Sequence, residues 1–358
     1  MKRQWTKKEA WDWYNSLSWI RGFNGYPSNC VNRIAMWQSY NHEEVAKQIE
    51  YEFSLAANTG FNAVRAIIQF ECWYYEHDSF MNNLEEYFSL ADKYGLKVML
   101  TIGNDCSVPK EVFEKVSFGP QKVDWGHHGG KKINPHEGIY DAPGYYLMDE
   151  EEFEPYYYKM VDELGSKYAK DPRLQVWDIF NEPGNGRRGN LSLKAMEKFF
   201  EIIRSHDPIA PLTADVWSYD KDLLPRLEIE KRALELSDII TFHYYGSFEN
   251  MKKIVDNLRK IYDRPLINNE WLNRCSHNNV LDIFPYFYEE KIGSYHWGLI
   301  QGYSQTYEPW GRYFHLKDKS NLDLTKWQHD LYRFNGYPYD EKEIECIKYY
   351  CLKADQEK

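Results

Sequence analysis

Residues 176–187 read VWDIFNEPGNGR, an apolar run that passes without a break into Asn181, Glu182 and Pro183. A strand buried on both faces has this look, and it ends where an amide and a carboxylate stand side by side. In a parallel barrel the C-terminal strand ends carry the chemistry, so a polar pair at that point reads as catalytic. A second run, PLINNEWLNR at 265–274, ends the same way in Glu270 followed by Trp271.

Working outward from these two, further β-rich runs end in polar residues. They are Trp19 to Asn24, Ala63 to Gln69, Val98 to Asn104, Pro211 to Asp215, Asp238 to Tyr245 and Tyr295 to Gln301, and with Leu174 to Asn181 and Leu266 to Glu270 they make eight. Helical patterns over Glu43 to Thr59, Asn82 to Tyr94, Glu151 to Lys170, Leu193 to Ser205, Leu223 to Leu236, Asn250 to Tyr262 and Val280 to Lys291 separate most of them. Strands alternating with helices pair in parallel, and eight such units close into a (β/α)8 TIM barrel. Thr6 and Glu9 form a capping box for a short helix ahead of the first strand. Two connections exceed plain turns: Asp105 to about Met148 after the third strand, and Tyr303 to about Leu324 after the eighth. Both follow strands, so both are expected to wall the catalytic face.

The 358 residues suit one barrel with insertions, and no linker or charge block divides residues 1–358, so a single domain is expected. Aromatic residues make up 17%, with 13 Trp and 30 Tyr, a supply that suits stacking on sugar rings or bases. The net charge of -11 separates those ligands, because a polyanion is repelled and nucleic acid is thereby disfavoured. No stretch approaches a membrane span, and the start has no apolar run of signal-peptide length, so a cytoplasmic chain is expected. The six cysteines lack CxxC spacing and read as reduced thiols rather than a zinc site or disulfide framework. No cofactor is expected, and the sequence leaves the oligomeric state open.

Glu182 and Glu270 would project from strands four and seven across one barrel mouth, and two carboxyl groups about 5 Å apart are what retaining glycoside hydrolysis requires. Together with Arg65 on strand two, His243-x-Tyr245 on strand six and Trp297 on strand eight, they resemble the clan A retaining glycoside hydrolases, closest to the family 5 cellulase-like enzymes. The likeness extends to a bacterial branch, labelled as cellulases or β-1,4-xylanases, that shares patterns such as GFNGYPSNCVNRIAMWQ, WGLIQGYSQT and FNGYPYDEKEIECIK. The resemblance implies a carbohydrate substrate, Glu182 as general acid/base with a raised pKa, and Glu270 as nucleophile kept ionised by Arg65 and a tyrosine, Tyr245 or, after a one-residue slip, Tyr244. It further implies Asn181 at the sugar 2-hydroxyl, His243 in the binding set and Trp297 under the sugar; Trp37 is a candidate second platform. Gln69 with Glu71, Asn104 with Asp105, and His296 depart from the family pattern, and all are expected to line the cleavage site.

Two other classes compete. A metal-dependent barrel enzyme would use His127, His128, His136 and Asp124, but these lie on one Gly-rich loop rather than on several strand ends, and no metal is expected. A non-catalytic sugar-binding barrel would have no use for two intact carboxylates.

Overall fold

The computed structural model describes residues 3–130, 135 and 138–357. Eight strands form one sheet: β1 (Arg21–Asn24), β2 (Ala63–Ile67), β3 (Lys97–Asn104), β4 (Leu174–Asn181), β5 (Leu212–Thr213), β6 (Ile240–His243), β7 (Leu266–Glu270) and β8 (Gly293–His296). Their order is β5-β4-β3-β2-β1-β8-β7-β6, and every pairing is parallel. The remaining seam, between β5 and β6, is drawn together by a Val216–Phe242 bridge and by the Thr213 and Thr241 hydroxyls at 2.8 Å. The result is a nearly closed (β/α)8 TIM barrel.

β4 and β7 run over the same residues that the sequence pattern marks, because each is a continuous apolar run with a sharp polar stop. β5 is only two residues long, since Pro211 offers no N–H to a ladder and the chain leaves the sheet after Thr213. The helix expected from Leu223 starts at Glu228 instead; Leu223 adopts a left-handed φ of 61°, and the Glu230 carboxylate accepts from the Leu227 N–H at 2.9 Å. Helices Arg33–Trp37, Phe70–Tyr75 and Glu341–Gln356 add to the expected set.

The floor of the barrel is apolar. Helix Lys7–Ser16, opened by the Thr6–Glu9 capping box, presses Ala10 and Tyr14 against Ala63, Met99, Val176, Ile267 and Tyr295 at the strand starts. Helix His42–Thr59 stops at Gly60, whose φ is 106° and where an added Cβ would lie 2.5 Å from Cys351 Cβ, which leaves no room for a side chain. With the floor sealed, the opposite strand ends are where polar side chains converge. All six cysteines are free. No helix among the described residues is long and apolar enough to cross a membrane.

Candidate active site

Arg65, from β2, is the centre of the strand-end cluster. Its guanidinium donates to Asp178 at 2.8 and 2.9 Å, to Asp215 at 3.0 Å, to Asn181 and Asn24 at 2.6 and 2.8 Å, and to Glu270 at 2.6 Å. Only a planar fork with five N–H donors serves that many acceptors at once. Glu270, ending β7, takes its second bond from the Tyr245 hydroxyl at 2.7 Å. This decides between the two tyrosines, since Tyr244 packs on Tyr219 instead.

Glu182 follows the last residue of β4 with a left-handed φ of 45°, a strained backbone that turns its carboxylate into the barrel mouth. One oxygen lies 2.8 Å from His243 Nδ1; the other accepts from the Cys106 thiol at 2.8 Å and from the Asn185 amide. His243 Nε2 is 3.1 Å from Asp215, and its Nδ1 is also 3.4 Å from Glu270. One oxygen each of Glu182 and Glu270, with a His243 nitrogen, all lie within 4.8 Å of one another.

The electrostatics of the pair differ from the sequence expectation. Burial opposes the His243 imidazolium, but the charges of Glu270 and Asp215 and bonds to Asp215 and Glu182 raise its pKa to about 10. Burial also pushes against the Glu182 carboxylate, yet the His243, Cys106 and Asn185 donors outweigh it and hold Glu182 below the usual carboxylate range. Glu270 lies above that range: burial dominates, His243 and Arg65 oppose it, and the charge of Glu182 adds to it. The resting proton therefore sits on His243, one hydrogen bond from Glu182.

These groups open into a solvent-connected cavity lined by Arg65, Asn181, Glu182, Tyr245, Glu270 and Trp297 from the expected set. Trp297 is 9% exposed and meets His128 edge-on at 5.6 Å. His243 does not line the cavity. It stands behind the carboxylates, a positioning residue rather than part of the sugar-binding wall. Trp37 is likewise misplaced by the sequence reading: its ring is fully buried between Phe80 and Tyr87, its Nε1 donates to the Ile67 carbonyl at 2.9 Å, and Met36 lines the cavity instead. Of the family departures, Asn104 borders the cavity; Gln69 and Glu71 line a smaller adjoining one, and His296 is buried against the Gly22 carbonyl. Asp105 is structural, its carboxylate clamping the Gly184 N–H, Arg188 and Ser192.

Sequence reasoning missed Cys106, His329 and Trp310 as wall residues. His127 and His128, weighed from the sequence as metal ligands and set aside because they share one loop, both line the cavity, and His136 lies outside the described residues. His127 Nδ1 pairs with the Glu308 carbonyl at 3.0 Å, so that nitrogen carries the proton and Nε2, without a partner among the described residues, is a bare acceptor. Burial lowers the His127 pKa to about 3, which keeps the ring neutral. The Glu182–His243–Glu270 donors have metal-compatible spacing, but the imidazolium repels a cation and both Glu270 oxygens are already bonded.

The cellulase (glycosyl hydrolase family 5) profile matches residues 23–291. No match was found among curated proteins. An endo-β-1,4-mannanase from Thermotoga petrophila has a similar fold, with 14% identity, a TM-score of 0.58, and coverage of 96% of this chain and 79% of that one. A family 5 mannosidase from Rhizomucor miehei aligns at 13% identity and a TM-score of 0.54 over 94% of both chains. Thermotoga maritima Cel5A in complex with cellobiose aligns at 15% identity and a TM-score of 0.54, over 93% of this chain and 98% of that one. With the profile covering most of the barrel and two carboxylates meeting across its mouth, the chain belongs to glycosyl hydrolase family 5 and is a retaining β-glycoside hydrolase.

Proposed function

We propose that the chain hydrolyses short β-linked oligosaccharides or small glycosides, with Glu270 as nucleophile and Glu182 as general acid/base. The observation that carries this reading is the approach of the two carboxylates within 4.8 Å at the ends of β4 and β7, the separation that double displacement uses. In the first step Glu270 Oε2 attacks the anomeric carbon as the glycosidic bond breaks, and Glu182 Oε1 delivers a proton to the departing oxygen. That proton reaches Glu182 from His243 Nδ1, 2.8 Å away, so Glu182 is again ionised when the first step ends, and the proton that it takes from water in the second step returns to His243. In the second step Glu182 removes a proton from water, which displaces Glu270 and restores the β configuration. Arg65 and Tyr245 hold the Glu270 oxygens in line for attack; Asn181 meets the 2-hydroxyl and Trp297 lies under the ring.

The preference for short substrates rests on the long loops. His127 and His128 from the third and Trp310 from the eighth stand around the cavity and close the groove toward a pocket. Six unpaired thiols, Cys106 among them at the carboxylates, support a reducing, cytoplasmic setting. Proton NMR during hydrolysis of an aryl β-glycoside tests the mechanism: the β-anomer of the product is expected first, and initial α-anomer contradicts the double displacement.

A further inference from the structure

We infer that the preferred substrate is a β-linked oligosaccharide that carries a carboxylate, a uronic acid unit beside the cleaved bond, held by Arg33 and Arg312. This rests on the glycosidase reading above and narrows it to a substrate class.

Five arginines are buried, namely Arg21, Arg65, Arg188, Arg204 and Arg274, and each is paired with a carboxylate. Two half-buried arginines break that habit, Arg33 in the wall of the active-site cavity and Arg312 stacked on its wall residue Trp310. Arg33 opens helix Arg33–Trp37 after β1 and lines both the catalytic cavity and the smaller cavity beside it. Arg312 sits in the loop after β8, its guanidinium carbon 4.4 Å from the ring centre of Trp310, a cavity wall. Among the described residues neither side chain makes a hydrogen bond or an ion pair. Desolvating a cation without a counter-ion costs free energy, and this chain has 55 acidic residues from which a partner could have been drawn.

Both cations belong electrically to the catalytic site. Arg312 is within reach of the charges of Glu182, Cys106 and Tyr245, and burial lowers its pKa against their pull. Arg33 acts on Cys106, His128 and Tyr146. It also acts on Glu71, but that carboxyl is buried, accepts from the Gln69 amide and is raised above the ordinary range by burial. β1 and β8 are adjacent strands, so the two guanidiniums approach from neighbouring loops. A planar carboxylate matches the guanidinium fork and brings one negative charge. A phosphate monoester would bring nearly two beside Glu182 and Glu270, which disfavours it.

The test uses β-1,4-linked gluco- and manno-trisaccharides, each in its neutral form and in a form with one C6 hydroxymethyl oxidised to carboxylate at either flank of the scissile bond. In buffer of about 20 mM ionic strength at least one carboxylate form should exceed its neutral partner in kcat/KM by about tenfold or more, and the ratio should fall toward one at about 500 mM salt. Arg33→Gln and Arg312→Gln should each cut that ratio severalfold, with thermal melting used to verify the fold of each. Equal or weaker action on every carboxylate form, with the neutral forms cleaved, overturns this inference and leaves the glycosidase reading intact. A preference that survives both substitutions and high salt also overturns it. If no form is bound, as measured by calorimetry, or cleaved, both readings fall.

Discussion

Replacing Arg65 with methionine tests the centre of the site. The side chain is fully buried and its loss strands Asp178, Asp215 and Glu270, which it contacts at 2.8, 3.0 and 2.6 Å. Removing one partner of a buried charge pair costs about 3–5 kcal/mol, a large share of the roughly 5–15 kcal/mol that holds a folded domain. Here one cation serves three carboxylates, so the upper part of that range is expected near pH 8. Without Arg65 the carboxyl groups of Asp178 and Glu270, which burial already raises, rise further above their unfolded values, Asp178 most of all from about 7, while Asp215 keeps the His243 imidazolium. A group raised in the folded state favours folding while protonated and loses that contribution as pH climbs through its folded pKa. The deficit of the variant relative to the native chain should therefore shrink toward about pH 5.5. Urea unfolding followed by tryptophan fluorescence at the two pH values measures both numbers. A deficit under about 1 kcal/mol near pH 8, or one that grows on acidification, would refute the view of Arg65 as the cation that makes this carboxylate cluster tolerable.

Glu270→Gln should lower kcat by about 10⁴-fold or more with oligosaccharide binding retained, because no glycosyl-enzyme forms without the nucleophile; near-native turnover would end the proposed roles. Glu182→Ala should keep some action on substrates with good leaving groups and be rescued by azide as the β-glycosyl azide, whereas an α-azide would mean that the two roles are exchanged. His243→Asn should move the alkaline limb of the kcat/KM profile toward acid, since the proton held by His243 with a pKa of about 10 is gone and Glu182 alone must carry it; an unmoved limb argues against proton storage on His243. Cys106→Ala removes a donor that favours the Glu182 carboxylate, so the Glu182 pKa should rise, and the sign can be read from the carboxyl frequency shift in difference infrared titration.

The barrel and the two carboxylates at its mouth were legible in the chain itself because their signals are local. A parallel strand shows as a short apolar run, and a strand end carrying chemistry shows as a polar stop, so β4 with Asn181–Glu182 and β7 with Glu270 could be read within a dozen residues each. Arg65, Tyr245 and Trp297 came with the resemblance to the family 5 enzymes, Tyr245 only as one of two tyrosines, and all three line the cavity. The tertiary structure alone decided the rest, because it depends on residues far apart in sequence. Cys106 meets Glu182 across 76 positions and His243 meets it across 61, and those contacts turn the expected raised acid into a carboxylate beside a protonated imidazole. Trp37 looked like a loop aromatic until the end of β2 supplied a carbonyl for its indole and the helix His77–Lys93 enclosed its ring. The walls built by His127, His329 and Trp310 come from loops whose sequence has no period to read, and only the closure of the barrel brings them to one mouth.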